Sequence, residues 1–165
     1  MHELECDEID EYVSGHKAAV GFMPRWGIQF RRQFQTRWGI SDMNGLENSE
    51  LCLTSDRDGR RASIVCLHRQ RLIYRLCVAP KTECKDNYHT AWKQGLPPVV
   101  CGVHIHGWPE NRDYVCSAGF GELPVRRPLS GVVGLIDALH WVVSDLGIQM
   151  DPGQRDIDLP PYELV

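Results

Sequence analysis

The sequence predicts an α+β fold: a small antiparallel sheet of about five strands packed against a C-terminal amphipathic helix, with a helical segment ahead of the sheet. Three observations carry this. Apolar residues repeat with period two between residues 50 and 78 and again from residue 99. The dipeptide Asp58-Gly59 separates two such runs, and Asp-Gly is a favoured hairpin turn. Residues 131–146 carry apolar side chains at three- and four-residue spacing, as one face of a helix requires.

From the N-terminus, Asp7 to about Val20 mixes acids with Ile9, Tyr12 and Val13 and reads as a short helix broken near Gly15 or Gly21. Residues 21–40 are dense in aromatics and arginines and contain Arg-Trp-Gly-Ile twice, at 25–28 and 37–40. A helix is expected over 29–37. Strands follow at 50–54 and 62–67, joined through Ser55–Gly59, and a short turn at His68–Gln70 leads to a third strand over 72–78. Pro80 ends that strand, and residues 81–98 read as a long loop with Gly95, Pro97 and Pro98. Val99–His106 is the fourth strand, 107–112 a turn and 113–117 a fifth strand. Ser130 is placed as the N-cap of the last helix and Gly147 as its C-terminal stop. At 165 residues, 42% apolar and 24% charged, the chain fits one soluble domain over 1–150 followed by an acidic, proline-containing tail over 151–165.

Charge is segregated. Residues 1–11 hold six acids and no Lys or Arg, 17–37 hold Lys17, Arg25, Arg31, Arg32 and Arg37 with no acid, and 57–75 hold six Arg against Asp58. The acidic segments are expected either to fold against the basic ones or to leave a basic zone open to a polyanion. Within 25–38, Arg25, Trp26, Arg31, Arg32, Arg37 and Trp38 form a candidate partner-binding set, because Trp and Arg are preferred interface anchors and the same mixture can pair phosphates and stack bases. The partner expected is a protein, with RNA as the alternative. No apolar run approaches the length of a membrane span. The acidic N-terminus does not read as a signal peptide, so a cytoplasmic protein is expected. The seven cysteines are odd in number, lack a Cys-x-x-Cys pair and sit mostly in apolar runs, so they are read as reduced core thiols.

The residues most suggestive of chemistry are in Val103-His-Ile-His-Gly-Trp-Pro-Glu110. On a strand His104 and His106 point the same way, and Glu110 follows in the turn. Two His and a carboxylate can ligate a divalent metal. They can also act as a general acid and base. Cys84, Cys116, His89 and His104 make a second, mixed zinc arrangement. The spacing His-x-His-x-x-x-Glu is also that of the first cupin metal motif, but Gly102 and Gly119 are misplaced for it and the only later His is His140, on the predicted helix.

Residues 50–148 resemble an uncharacterised bacterial domain-of-unknown-function family. In that family a hairpin is followed by a loop His, a Gly/Pro gap, His-x-His-x-x-x-Glu, an Asp and a closing helix. Here these are His89, Pro97 and Pro98, His104, His106 and Glu110, Asp113 and the helix ending in Leu-Gly-Ile. The resemblance groups His89 with the His pair and supplies no reaction. In an enzyme, His89, His104, His106 and Glu110 would be the catalytic set, with Arg112, or an Arg from 57–75, neutralising a phosphoryl transition state. Two functions are therefore carried forward. The first is a non-enzymatic protein-binding factor of a bacterial or mobile-element system, of antitoxin, immunity or anti-defence type. The second is a small His-dependent phosphodiesterase or ribonuclease, or a metal-binding hydrolase with the metal on His104, His106 and Glu110.

Overall fold

The computed structural model describes residues 2–30 and 33–160. Helix α1 (His2–Ser14) is followed by β1 (Lys17–Ala19), β2 (Gly27–Phe30), β3 (Gln33–Ser41), β4 (Ser49–Ser55), β5 (Ala62–His68), β6 (Arg71–Val78) and β7 (Cys84–Asp86). Then come β8 (Val99–Cys101), β9 (His104–His106), α2 (Trp108–Ala118), β10 (Arg127–Pro128), α3 (Leu135–Asp145) and β11 (Ile148–Gln149). The class is α+β, but the sheet is larger than the predicted five strands. Among the described residues nine strands form one sheet in the order β10-β9-β6-β5-β4-β3-β1-β11, with β2 also on β3, and β7 pairs with β8 separately. All pairs are antiparallel except β1 with β11. Among the described residues no helix is long and apolar enough to cross a membrane.

The two faces of the sheet differ because side chains alternate along each strand. The ladder aligns Thr36, Leu53, Ile64, Leu76 and Ile105 across five strands, and Trp38, Leu51, Cys66 and Tyr74 in the next row. These rows are buried and form the core together with Leu135, Ala138, Leu139 and Val142 of α3 and Cys6 and Ile9 of α1. The opposite face carries Arg37, Cys52, Val65, Arg75 and His106 in one row and Gln35, Thr54, Ser63, Cys77 and His104 in the next.

Four expectations for local structure are corrected. Residues 33–41 are a strand and not part of a helix over 29–37, because Phe34, Thr36, Trp38 and Ile40 alternate with Gln35, Arg37, Gly39 and Ser41 and only a period-two backbone buries the first set. Residues 108–118 are a helix where a turn and a strand were expected. Gly107 caps it, Pro109 lies in its first turn and Trp108, Asn111 and Val115 face inward. The predicted strand over 99–106 is two strands in two sheets, divided at Gly102, whose φ is +76°. Helix α3 begins at Leu135, not beside Ser130. The Leu135 amide donates to the Gly59 carbonyl at 3.0 Å, which docks the start of α3 on the β4–β5 turn.

The cysteines are corrected as well. Cys6 bonds to Cys116 and Cys84 to Cys101, leaving Cys52, Cys66 and Cys77 free. The first disulfide joins α1 to α2, and the second joins residues directly opposite each other in the β7–β8 ladder. Cysteine spacing in the sequence carries no sign of either contact.

The acidic N-terminal segment folds against arginines. Arg112 on α2 binds Asp10 (2.7 Å), Asp7 (3.1 Å) and Glu3 (3.3 Å), while Arg71 binds Glu5 (2.6 Å) and Arg69 binds Glu8. At the other end of α1, the buried Lys17 ammonium donates to the carbonyls of Tyr12 (2.6 Å), Val13 (3.2 Å) and Gly15 (2.6 Å). These are acceptors that the last turn of a helix leaves open, at the end where the dipole favours a cation.

Candidate metal centre

Strand β9 lies beside β6 with His104 opposite Cys77 and His106 opposite Arg75. Directly opposed residues share a face, and so do residues two apart on one strand. The register therefore puts Cys77, His104, His106 and Arg75 together on the face away from the core, while Leu76 and Ile105 between them point inward. The two imidazoles are 5.2 Å apart, centre to centre. One ligand atom from each of Cys77, His104 and His106 lies within 4.8 Å of the others.

The backbone orients both rings. His104 Nδ1 is 2.8 Å from the Gly102 carbonyl, and His106 Nδ1 contacts the Leu123 carbonyl. A carbonyl can only accept, so each Nδ1 carries the proton and each Nε2 keeps its lone pair. Among the described residues neither Nε2 has a hydrogen-bond partner. A ring N–H held by a backbone carbonyl with the other nitrogen left free is the usual arrangement around a metal-ligating histidine.

Both histidines are buried, 3% and 6% exposed, although they lie on the outward face; His106 packs against the 121–126 segment, which supplies the Leu123 carbonyl. Burial lowers the affinity of each ring for a proton and takes His106 down to about 3, outweighing the carbonyl bonds, and the Arg126 and Arg75 charges act in the same direction. Both are neutral near pH 7, as ligation requires. Burial raises the Cys77 thiol, while Arg75 and Lys85 pull it the other way. A cavity of about 470 Å³ opens against His106, with Arg75, Arg126, Tyr88, Asp86 and Glu122 in its walls.

The structure brings together only part of the predicted set. His104 and His106 are adjacent, as the strand period requires. Glu110 is in the first turn of α2, where Oε1 accepts from Arg127 Nε at 2.8 Å and Oε2 is buried with no partner among the described residues. It does not belong to the cluster of ligand atoms, and Cys77 takes its place. His89 is exposed, with its ring 4.3 Å from that of Tyr88. Arg112 is held by the acids of α1, so the transition-state role expected of it is not supported. Cys84 and Cys116 are in disulfides, which removes the alternative zinc arrangement.

The partner-binding set is also divided. Trp26 and Trp38 are core residues, 7% and 0% exposed, with their indole N–H groups on the carbonyls of Asp158 (2.9 Å) and Val20 (3.1 Å). Buried side chains cannot anchor a partner, so the tryptophan part of that expectation is corrected. Arg25 is exposed, Arg37 is exposed and paired with Glu50 at 2.9 Å, and Arg31 and Arg32 lie outside the described residues.

Cys77 was missed because it lies in the run Leu-Cys-Val. The signal was nonetheless present: period two places it on the same face as Arg75, opposite Leu76 and Val78. Compared with protein-family models, curated proteins and solved structures, the chain matches none of them.

Proposed function

We propose that the protein binds one zinc ion through Cys77, His104 and His106 and is a metal-dependent hydrolase. The observation that carries this reading is the trio of donor atoms within 4.8 Å of one another, with both Nδ1 positions tied to carbonyls. Two neutral imidazoles and a thiolate suit zinc at about 2.0–2.3 Å, after a small inward movement of the side chains. Three protein ligands leave a fourth position for water, the composition of catalytic rather than structural zinc sites. That position would face the cavity beside His106. Zinc brings the pKa of its bound water to about 7, which makes hydroxide available without a separate strong base.

Metal analysis of protein reconstituted with zinc and desalted tests the reading. Wild type should hold one equivalent. Cys77→Ser, His104→Ala and His106→Ala should each lose it, while Arg37→Gln should retain it. Cobalt in place of zinc should give a thiolate-to-metal charge-transfer band that Cys77→Ser abolishes. Wild type that retains no metal would reject the proposal.

Val133, Ile136 and Trp141, on and just before α3, are exposed apolar side chains, but Ile136 and Trp141 are five positions apart on the helix and point about 140° from each other, so they make no single docking face for the protein-binding role carried from the sequence.

A further inference from the structure

We infer that the cavity beside Cys77, His104 and His106 binds the phosphoryl group of a phosphate ester, with Arg75 and Arg126 as its ligands. This rests on the proposed metal site only for what happens to the ester after binding, since the anion subsite is made of other residues.

Two cationic side chains, Arg75 and Arg126, line the cavity beside His106. Arg75 is exposed and stands directly opposite His106 in the ladder, so its guanidinium lies on the metal-ligand face. Arg126 reaches the same cavity from the 121–126 segment that packs against His106. Its Nη1 donates to the Asp86 carbonyl at 2.5 Å, which anchors one arm, while Nε is buried with no partner. The buried Nε–H lacks an acceptor, a cost that a phosphoryl oxygen would relieve once the guanidinium turns toward the cavity. Asp86 and Glu122 also line the cavity, but both are exposed, and among the described residues neither forms an ion pair with Arg75 or Arg126. Planar arginine forks match tetrahedral phosphate oxygens. The half-buried Tyr88 contributes an aromatic wall, and the volume is in the range of small-ligand sites.

Calorimetric titration of the full chain, dialysed against chelator, tests the subsite apart from the metal. Adenosine 5′-monophosphate is the probe, with adenosine and acetate beside it. The monophosphate should bind at least tenfold more tightly than either. Arg126→Gln and Arg75→Gln should each weaken it about tenfold, while Arg37→Gln, which removes the same charge three strands from Arg75 in the sheet, should not. Equal affinity for the monophosphate and adenosine would overturn the inference, as would equal affinity for the monophosphate and acetate, or arginine variants that bind like wild type. If one arginine variant fails to fold by circular dichroism, the other decides. Zinc retained after reconstitution and desalting of the same preparations separates the two ideas: monophosphate binding by a protein that retains no zinc rejects the metal site and supports the subsite, and zinc retention without monophosphate binding does the reverse.

Discussion

Asn111 shows how one side chain holds the site in place. It is fully buried on α2, where Nδ2 donates to the carbonyls of Gly107 (2.8 Å) and Val125 (3.1 Å) and Oδ1 accepts from the Val125 amide (2.8 Å). It thereby fixes the end of β9 to the segment whose Leu123 carbonyl orients His106. Asn111→Ala would leave buried backbone groups unpaired, at a cost of about 1–3 kcal/mol, and should weaken zinc retention as well. Denaturant titration against the exposed Asn44→Ala checks the first effect. A second single-residue prediction concerns pH. His68 is buried, stacked on Tyr12 at 4.0 Å, with Nδ1 2.8 Å from Ser49 Oγ and Nε2 3.6 Å from Glu8. Burial lowers its pKa despite Glu8 and Asp42, and the Arg69 charge adds to the lowering. The unfolded chain therefore takes up the proton first. The stability contributed by neutral His68 is fully present above its unfolded pKa of about 6.5 and is lost as pH falls from there toward the lower folded value. Unfolding free energies measured between pH 7.5 and 5 should fall less steeply for His68→Leu than for wild type, and parallel slopes would remove His68 as a cause.

At the scale of elements, α3 shows what its apolar stripe does. Leu135, Ala138, Leu139 and Val142 are buried, whereas Ile136, which also fits the predicted stripe, is 38% exposed. Leu139→Ala should cost about 2–5 kcal/mol through lost burial and an incompletely collapsed cavity. Asp137 is exposed, but its Oδ2 accepts the Val133 amide at 3.1 Å at the start of the helix, so Asp137→Ala should cost a smaller amount, about 1 kcal/mol. Equal losses for the two in chemical denaturation would mean that the helix packs by another face. The β5–β6 hairpin turns at Arg69 and Gln70, both with positive φ, where two-residue turns favour Asn and Gly. Arg69 is held by Glu8, so this unusual turn is tied to α1.

The whole molecule is closed by contacts between segments far apart in sequence. The Cys6–Cys116 disulfide spans 110 residues and Cys84–Cys101 spans 17. In the chain-entropy view a longer loop gives the larger stabilisation, about 4.7 kcal/mol for 100 residues against about 3 kcal/mol for 15. Cys6→Ala with Cys116→Ala should therefore lower the denaturation midpoint more than Cys84→Ala with Cys101→Ala, and peptide mapping without reductant should recover both crosslinks. The α1–α2 arginine–carboxylate network acts between the same two elements and is more exposed, so salt should weaken it while leaving the disulfide intact.

The sequence by itself determined what depends on near neighbours. Strict alternation located β4, β5 and β6, Asp58-Gly59 located the turn between the first two, and period two put His104 and His106 on one face. The same alternation is present at Phe34, Thr36, Trp38 and Ile40, where aromatics and arginines on both faces obscure the period, and the start of α2 is written in Gly107-Trp-Pro-Glu110. Only the tertiary structure decided which distant segments meet. Whether Cys77 faces His104 depends on the β6–β9 register, which is set by the fit of Leu76 against Ile105 in the core and not by any local preference. The burial of Trp26 and Trp38, the capture of Arg112 by α1 and the pairing of Cys6 with Cys116 are likewise non-local, because each follows from where whole elements pack after their local conformation is already set.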